Sequence, residues 1–329
     1  MQRDPEVEGV VGISRRRPDL DLEGVEWREA DIRSADLIEH FRGADAVIHL
    51  AWLIQPSRDE RELESVNLDG SARVFAAVAA APVRKLVYAS SVGAYSPGPK
   101  DRAVDESHPT GGIQSSFYSR HKVEVERMLD RFEDEHPTVA VARLRPALIF
   151  KGEAGTEIRR LFAGPFLPTP LLRHIPLVPA VRRLRFQAVH SADVAEAYRL
   201  ACKADVAGAF NIAAAPVLTP RRLARLLGAL PVPLPAAALR AGAEITWRAR
   251  LQPTPSGWVD MALGAPIMST AKARRELGWE PTQNAESALL ELIEGMRTGK
   301  DFPTPPLTAK SSGPARIREL LTGVGGRNP

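Results

Sequence analysis

Short, almost uninterrupted apolar runs alternate with longer helix-patterned segments through the first half of this chain, and that alternation restricts the fold more than any other feature. The runs are Val10-Val11-Gly12-Ile13, Ala46-Val47-Ile48-His49-Leu50, Lys85-Leu86-Val87-Tyr88 and residues 139–144. A strand covered on both faces reads this way, whereas a strand with one wet face alternates apolar with polar residues. Between the runs, residues 35–41, 61–80 and 118–132 carry helical spacing. The last of these stops before His136-Pro137, because the residue ahead of a proline is steered out of the helical region. Strand, helix and strand in repetition need crossover connections, which lay the strands parallel and put helices on both faces. The expected fold class is α/β, with a doubly wound parallel sheet.

Beyond Phe150 the texture changes. Pro165, Pro168, Pro170, Pro176 and Pro179 interrupt residues 151–187 and predict a long loop over a site rather than a regular element. Ala209-Phe210-Asn211-Ile212 rejoins the strand pattern, and 217–250 and 270–299 read as helices of a smaller cap. Trp247 and Trp258 in that cap either line an apolar pocket or fill its core. From Asp301 onward Pro, Ser and Gly punctuate the chain around one short amphipathic piece, 315–321, as in a flexible tail. The expected division of the 329 residues is a sheet domain over 1–150 and 188–214, a cap over 151–187 and 215–300, and a tail over 301–329.

Composition excludes several classes of function. The net charge of +4 is spread over 44 basic and 40 acidic residues. The densest basic run, Arg182-Arg183-Leu184-Arg185, reads as a solvated or anion-facing loop, and no nucleic-acid-binding motif accompanies it. The single cysteine, Cys202, rules out an intrachain disulfide framework and points to a reducing compartment, so a cytoplasmic location is expected. Met1-Gln2-Arg3-Asp4-Pro5 lacks the apolar run of a signal peptide. The most apolar stretch, 226–243, is broken by Pro231, Pro233 and Pro235, so no membrane partner is expected. His49 reads as sheet packing, since no companion His or carboxylate has ligand spacing, and no metal is expected.

Chemistry concentrates at Tyr118-Ser-Arg-His-Lys122. Residues four apart on a helix project from one face, one above the other. A free phenol loses its proton near pKa ~10, too high for acid/base work at neutral pH. An ammonium held close stabilises the phenolate and makes the hydroxyl a usable proton donor or acceptor.

The segments around that pair fall into a recognisable order. Asp31-Ile32 follows a strand. His49-Leu50-Ala51-Trp52 ends another, and Asn67 and Gly70 lie in Val66-Asn67-Leu68-Asp69-Gly70. Tyr88-Ala89-Ser90-Ser91-Val92-Gly93-Ala94-Tyr95 precedes Tyr118–Lys122; Arg145-Pro146, Val189-His190-Ser191-Ala192-Asp193-Val194-Ala195 and Lys272-Ala273-Arg274-Arg275-Glu276-Leu277-Gly278-Trp279 follow it. Over residues 8–285 this order resembles the extended branch of the short-chain dehydrogenase/reductase superfamily, the NAD(P)-dependent epimerases and dehydratases on a Rossmann-type sheet. The resemblance implies that Tyr118 exchanges a proton with the substrate oxygen, and that Lys122 lowers the tyrosine pKa and holds the nicotinamide ribose. It implies that Ser91 steadies developing oxyanion charge, while Ser90 ends its strand. Cofactor contacts are implied at Arg15, Arg16, Asp31 and Ile32 on the adenosine side, and at Leu50, Ala51 and Trp52, where the family has an apolar-Ala-Gly turn. Pro146 and Ala147 join them, and Asn67 is either a further contact or a helix residue that fixes neighbouring strands. His190 and Asp193 read as a strand end and a helix cap.

One family element has no counterpart. The glycine-rich G-x-x-G-x-x-G turn that opens the first helix is missing; Gly9 and Gly12 lie inside the first apolar run, and Ser14-Arg15-Arg16-Arg17-Pro18 resembles the end of the family's second strand. The expectation is that a first strand and helix belong upstream of Met1; the alternatives are a relative without cofactor binding, or another segment or subunit filling the gap. Arg15 and Arg16 stand where NAD-preferring members end the second strand with an acid, so NADP is favoured over NAD. The expected function is an NAD(P)-dependent oxidoreductase acting on a small carbonyl or alcohol substrate. Its alternatives are a sugar-nucleotide epimerase or dehydratase and a non-catalytic NADP-sensing or inactive truncated form. Ala147-Leu148-Ile149-Phe150-Lys151-Gly152 lacks the Asn and "VYG" of many sugar-nucleotide enzymes. A homodimer through the helices around Arg61 and Tyr118 is implied by the resemblance.

Overall fold

The computed structural model describes residues 1–2, 4–55, 58–155, 158, 175–300 and 302. Most of the proline-rich loop and the expected tail therefore lie outside the described residues. Strands β3 (Ala46–His49), β4 (Lys85–Ala89), β6 (Ala140–Pro146) and β10 (Gly208–Ile212) form the main sheet in the order β10-β6-β4-β3, and every pair is parallel. The apolar runs become strands because both faces are covered. Leu86 and Tyr88 of β4 pack with Val74, Val78 and Leu129, toward the helices Gly70–Ala80 and Phe117–Glu135. Val87, between them, points the other way and packs with Ala197, Ala201 and Trp279, toward the helix Ser191–Lys203 and the C-terminal helices. Successive side chains of one strand thus fill two cores, as a period of two dictates.

Strands β1 (Val10–Ser14) and β2 (Val25–Glu29) pair in parallel as a separate two-stranded sheet. Among the described residues no strand is hydrogen-bonded between β1 and β3, the position the resemblance gives to its first strand. Three smaller sheets surround the main one. β7 (Leu148–Phe150), β9 (Phe186–His190) and β11 (Ala214–Leu218) form one, β8 (Leu177–Ala180) pairs with β12 (Leu230–Pro233), and β5 (Ala103–Val104) pairs with β13 (Ile267–Met268).

Two expectations are corrected here. Residues 177–180 form a strand despite Pro179, and the stretch read as helical over 217–250 contains β12 with Pro231 and Pro233. Each strand of that pair is an edge, so a proline that lacks an N–H leaves no ladder partner unsatisfied. The remainder of that stretch is helical at Pro220–Leu227 and Ala236–Arg248. No described helix is long and apolar enough to cross a membrane.

A buried polar junction helps to fasten the C-terminal helices, beside their apolar packing on the sheet. Trp279 is fully buried and its indole Nε1 donates to the Asp193 carbonyl at 2.8 Å. The Asp193 carboxylate accepts from Thr282 N at 2.9 Å, Thr282 Oγ1 at 2.6 Å and Gln283 N at 3.2 Å. His190 Nδ1 accepts from Ala192 N at 3.2 Å and caps the helix Ser191–Lys203. Trp279→Ala should cost roughly 3–5 kcal/mol, the usual penalty for emptying a buried aromatic site. Urea denaturation measures it, and a loss below about 1 kcal/mol would contradict the assigned burial.

Candidate active site

The residues singled out as chemical converge at the carboxyl ends of β3 and β4, where open parallel sheets leave room for ligands. Ser91 follows β4 and caps the short turn Val92–Ala94, its Oγ accepting from Gly93 N at 3.0 Å. A Cβ on Gly93 would stand 3.0 Å from Tyr118 Cε1, so glycine lets the backbone lie against the phenol ring. Tyr118 sits in the first turn of the helix Phe117–Glu135, which Ser116 caps. Its ring meets the edge of Trp52 at 5.9 Å between centroids and lies against Trp258, from the helix Gly257–Gly264, at 5.1 Å. Burial pushes the Tyr118 phenol above its ordinary pKa, and hydrogen bonding with Ser91 pulls it partly back.

Lys122 lies one turn further along and is almost wholly buried, at 2% exposure. Its Nζ donates to the Ala89 carbonyl at 2.6 Å and to Tyr88 Oη at 3.3 Å. The same nitrogen stands 3.4 Å from the centroid of the Trp52 ring and 5.8 Å from that of Tyr118. Lys122 and Tyr118 share a face as the spacing requires, but the ammonium is turned to the Trp52 indole. The expected lowering of the phenol pKa by Lys122 is not what this arrangement gives; Ser91 supplies the opposing effect. Burial also pushes Lys122 well below the ordinary lysine range, and the charge of Glu126 opposes that shift.

Glu126 was not singled out from sequence, although it continues the stripe of Tyr118 and Lys122 at the same four-residue spacing. It receives hydrogen bonds from Arg145 Nε at 2.8 Å, from Arg145 Nη2 and from Ser90 Oγ. Burial pushes this carboxyl up, but Arg145, Ser90 and Arg143 together hold it below the usual range. Arg145 also donates to Tyr95 Oη at 3.0 Å, which in turn donates to Asn211 Oδ1 at 2.7 Å.

Asn67 is engaged with the backbone beside the site. It is fully buried in a single π-helical turn, Ser65–Asp69, a kind of irregularity frequent beside functional sites. Its Oδ1 accepts from Leu53 N at 2.7 Å and its Nδ2 donates to Leu53 O at 2.8 Å. The loop just after Trp52 is therefore held by one side chain. Leu50 and Ala51 are exposed, and Trp52 is half-buried with its indole Nε1 lacking an acceptor among the described residues.

Of the remaining candidates, Ala147 stays beside this centre, in one small cluster with Val92 of the serine turn. Arg15 and Arg16 are exposed after β1. Asp31 is engaged by Arg33 at 2.7 Å, which with a smaller contribution from Arg15 holds its carboxyl below the ordinary range. Ile32 packs so closely on Gly70 that a Cβ there would come within 2.6 Å of its Cδ1. Pro146 ends β6, and Ala147 packs with Tyr95, Ala213 and Met268. No group of metal-ligand type occurs among the described residues. Arg182, Arg183 and Arg185 are exposed, with Arg183 donating to the Gly98 and Leu263 carbonyls.

His49 is buried, bonded through Nε2 to Ser71 Oγ at 2.9 Å, and packed against Phe75 and Tyr88. Burial, and then the charge of Lys122, lowers its pKa from 6.5 to about 3. Between those values the unfolded chain binds the proton and the folded chain does not, so stability rises with pH across this window and is lost on acidification. From pH 7 to pH 5 the wild type should lose about 2 kcal/mol more than His49→Gln, as read by urea denaturation at both values. Equal losses would contradict the buried neutral imidazole.

A family model described as the NAD dependent epimerase/dehydratase family matches residues 1–213. The chain is 30% identical over 294 residues to an uncharacterised protein of Mycobacterium tuberculosis, covering 88% of this chain but only 27% of that longer protein. It is 28% identical over 148 residues to a 2-alkyl-3-oxoalkanoate reductase of Shewanella oneidensis, covering 43% of this chain and 38% of that one. In fold it is similar to a dTDP-glucose 4,6-dehydratase of Streptomyces venezuelae solved with NAD, with a TM-score of 0.64 at 17% identity over 89% of this chain and 88% of the other. The sheet and the matched residues define an α/β protein of the extended short-chain dehydrogenase/reductase type. The chain belongs to the NAD dependent epimerase/dehydratase family, a family of enzymes.

Proposed function

We propose that this chain is an NAD(P)-dependent oxidoreductase that acts on a carbonyl or alcohol substrate, with Tyr118 as its acid/base. The observation that carries the reading is the meeting of Ser91 and Tyr118, with Lys122 one turn behind, at the carboxyl ends of a parallel sheet. The nicotinamide, when bound, supplies or accepts a hydride. Tyr118 Oη holds the proton that the substrate oxygen gains or loses. Ser91 Oγ donates to the same oxygen as charge develops on it. Lys122 holds a ribose hydroxyl.

The residues present are compatible with a dinucleotide at both ends, with one obstruction. At the adenosine end, Arg15 and Arg16 are exposed, Asp31 is paired with Arg33, and Glu29 accepts from the Arg17 N–H at 2.9 Å. That arrangement favours a 2′-phosphate and supports NADP over NAD. At the nicotinamide end, the orphaned Trp52 indole N–H offers a donor, while the indole itself covers Lys122.

The similarity to the reductase supports net redox on a carbonyl, as does the Ala147-Leu148-Ile149-Phe150 sequence where many sugar-nucleotide enzymes have Asn and "VYG". The family's own description favours a second reading, transient oxidation of a sugar nucleotide. Net NADPH consumption over a carbonyl panel supports the first, and conversion without net cofactor change supports the second. Tyr118→Phe should lower turnover by roughly 10²–10⁴-fold while cofactor binding is unchanged; undiminished turnover would sink the mechanism. The double variant Arg15→Ala, Arg16→Ala should weaken NADPH binding by about tenfold and NADH binding less, since the lost contacts are charge-assisted. Equal effects on both would overturn the NADP preference.

A further inference from the structure

Trp52 stands where the family pattern has a glycine, and its side chain lies on the residue that the functional reading assigns to the cofactor ribose. An ammonium has three N–H donors. Those of Lys122 are directed to the Ala89 carbonyl, to Tyr88 Oη and toward the Trp52 ring, whose centroid is 3.4 Å from the nitrogen. Tyr88 closes the ammonium from a second side, its ring centroid 5.0 Å away. So directed, the ammonium has no further N–H donor to offer a ribose hydroxyl.

We propose that Trp52 sets the affinity of this site for its dinucleotide, because its indole covers the Lys122 ammonium and must turn aside before that ammonium can engage a ribose hydroxyl. The proposal rests on the reading of Lys122 as a cofactor-holding residue. Two features localise the movement to the side chain. Asn67 holds the backbone at Leu53 by two hydrogen bonds, so the loop itself stays in place. The indole Nε1 has no acceptor among the described residues, so no hydrogen bond of its own locks the ring over the lysine. The ring is held by its contact with the cation, by the Tyr118 edge and by packing on the apolar cluster that includes Val74 and Tyr88. A desolvated cation–π contact is strong enough to leave the uncovered form a minor species, and apparent affinity falls by the fraction that is competent.

The test uses the full chain as wild type, Trp52→Gly and Trp52→Phe, with NADPH titrated by calorimetry and with the reactivity of the Lys122 amine read by reductive methylation and mass spectrometry without cofactor. Trp52→Gly should bind NADPH about tenfold more tightly, Trp52→Phe should fall between it and the wild type, and Lys122 should label faster in the same order. Lys122 labelling at the wild-type rate in Trp52→Gly would overturn the proposal. So would faster labelling with unchanged or weaker NADPH binding; the oxidoreductase reading would survive either result. Absence of NADPH binding in all three proteins would overturn the oxidoreductase reading, and this proposal with it.

Discussion

The buried pair of Glu126 and Arg145 fixes the register on which the rest of the site depends. Both side chains are nearly inaccessible, at 2% and 5% exposure. One belongs to the helix Phe117–Glu135 and the other to β6, so their bonds tie helix to sheet at a defined rotation. A residue of helical slip turns the face by about 100°, which would separate the pair and bury two unpaired charges. Such a pair contributes little net stability against apolar residues of similar volume, but breaking it is costly. Because Tyr118, Lys122 and Glu126 form one stripe, the register that satisfies Glu126 also delivers the phenol to Ser91 and the ammonium to the end of β4. Ser90 Oγ donates to the same carboxylate, so the serine segment shares the anchor.

Within that frame the two polar ends of the stripe are treated differently. The ammonium of Lys122 is taken out of water and compensated by a carbonyl, a phenol and an indole face, with Glu126 one turn away as its counter-charge. The phenol of Tyr118 is enclosed by aromatic rings and by the Gly93 backbone, with a serine as its polar partner. An enclosed phenol holds its proton more tightly than a solvated one. In the form described here, Tyr118 is therefore held protonated.

Much of the architecture was legible because it follows from chain-local rules. The apolar runs gave the strands of the main sheet, and His136-Pro137 gave the end of the helix Phe117–Glu135. The extra strands were not legible, because whether a proline is tolerated depends on how many neighbours its strand has. Pro179, Pro231 and Pro233 are acceptable because each strand of this pair is an edge, and the partner of each lies about fifty residues away. The candidate site divides similarly. Ser91, Tyr118 and Lys122 came from motif and spacing, and Glu126 was available from the same spacing. The approach of Trp258 to Tyr118 and of Trp52 to Lys122 is tertiary, with no local signal beyond an unexpected indole in a turn.

That unexpected indole shows how a site can be altered without altering its frame. Asn67 holds the backbone after residue 52, and Gly70 admits Ile32 against the same helical segment, so the main chain around the turn is fixed by contacts that do not involve the Trp52 side chain. A glycine at position 52 would leave those contacts intact and expose the ammonium; a tryptophan leaves them intact and covers it. The sheet, the helix register and the serine turn are each tied to several partners, and a change in any of them would propagate. The side chain at position 52 is tied to its surroundings by the cation beneath its ring, the tyrosine at its edge and apolar packing, with no hydrogen bond among the described residues. Substitution there changes what the site admits while the architecture stays as it was.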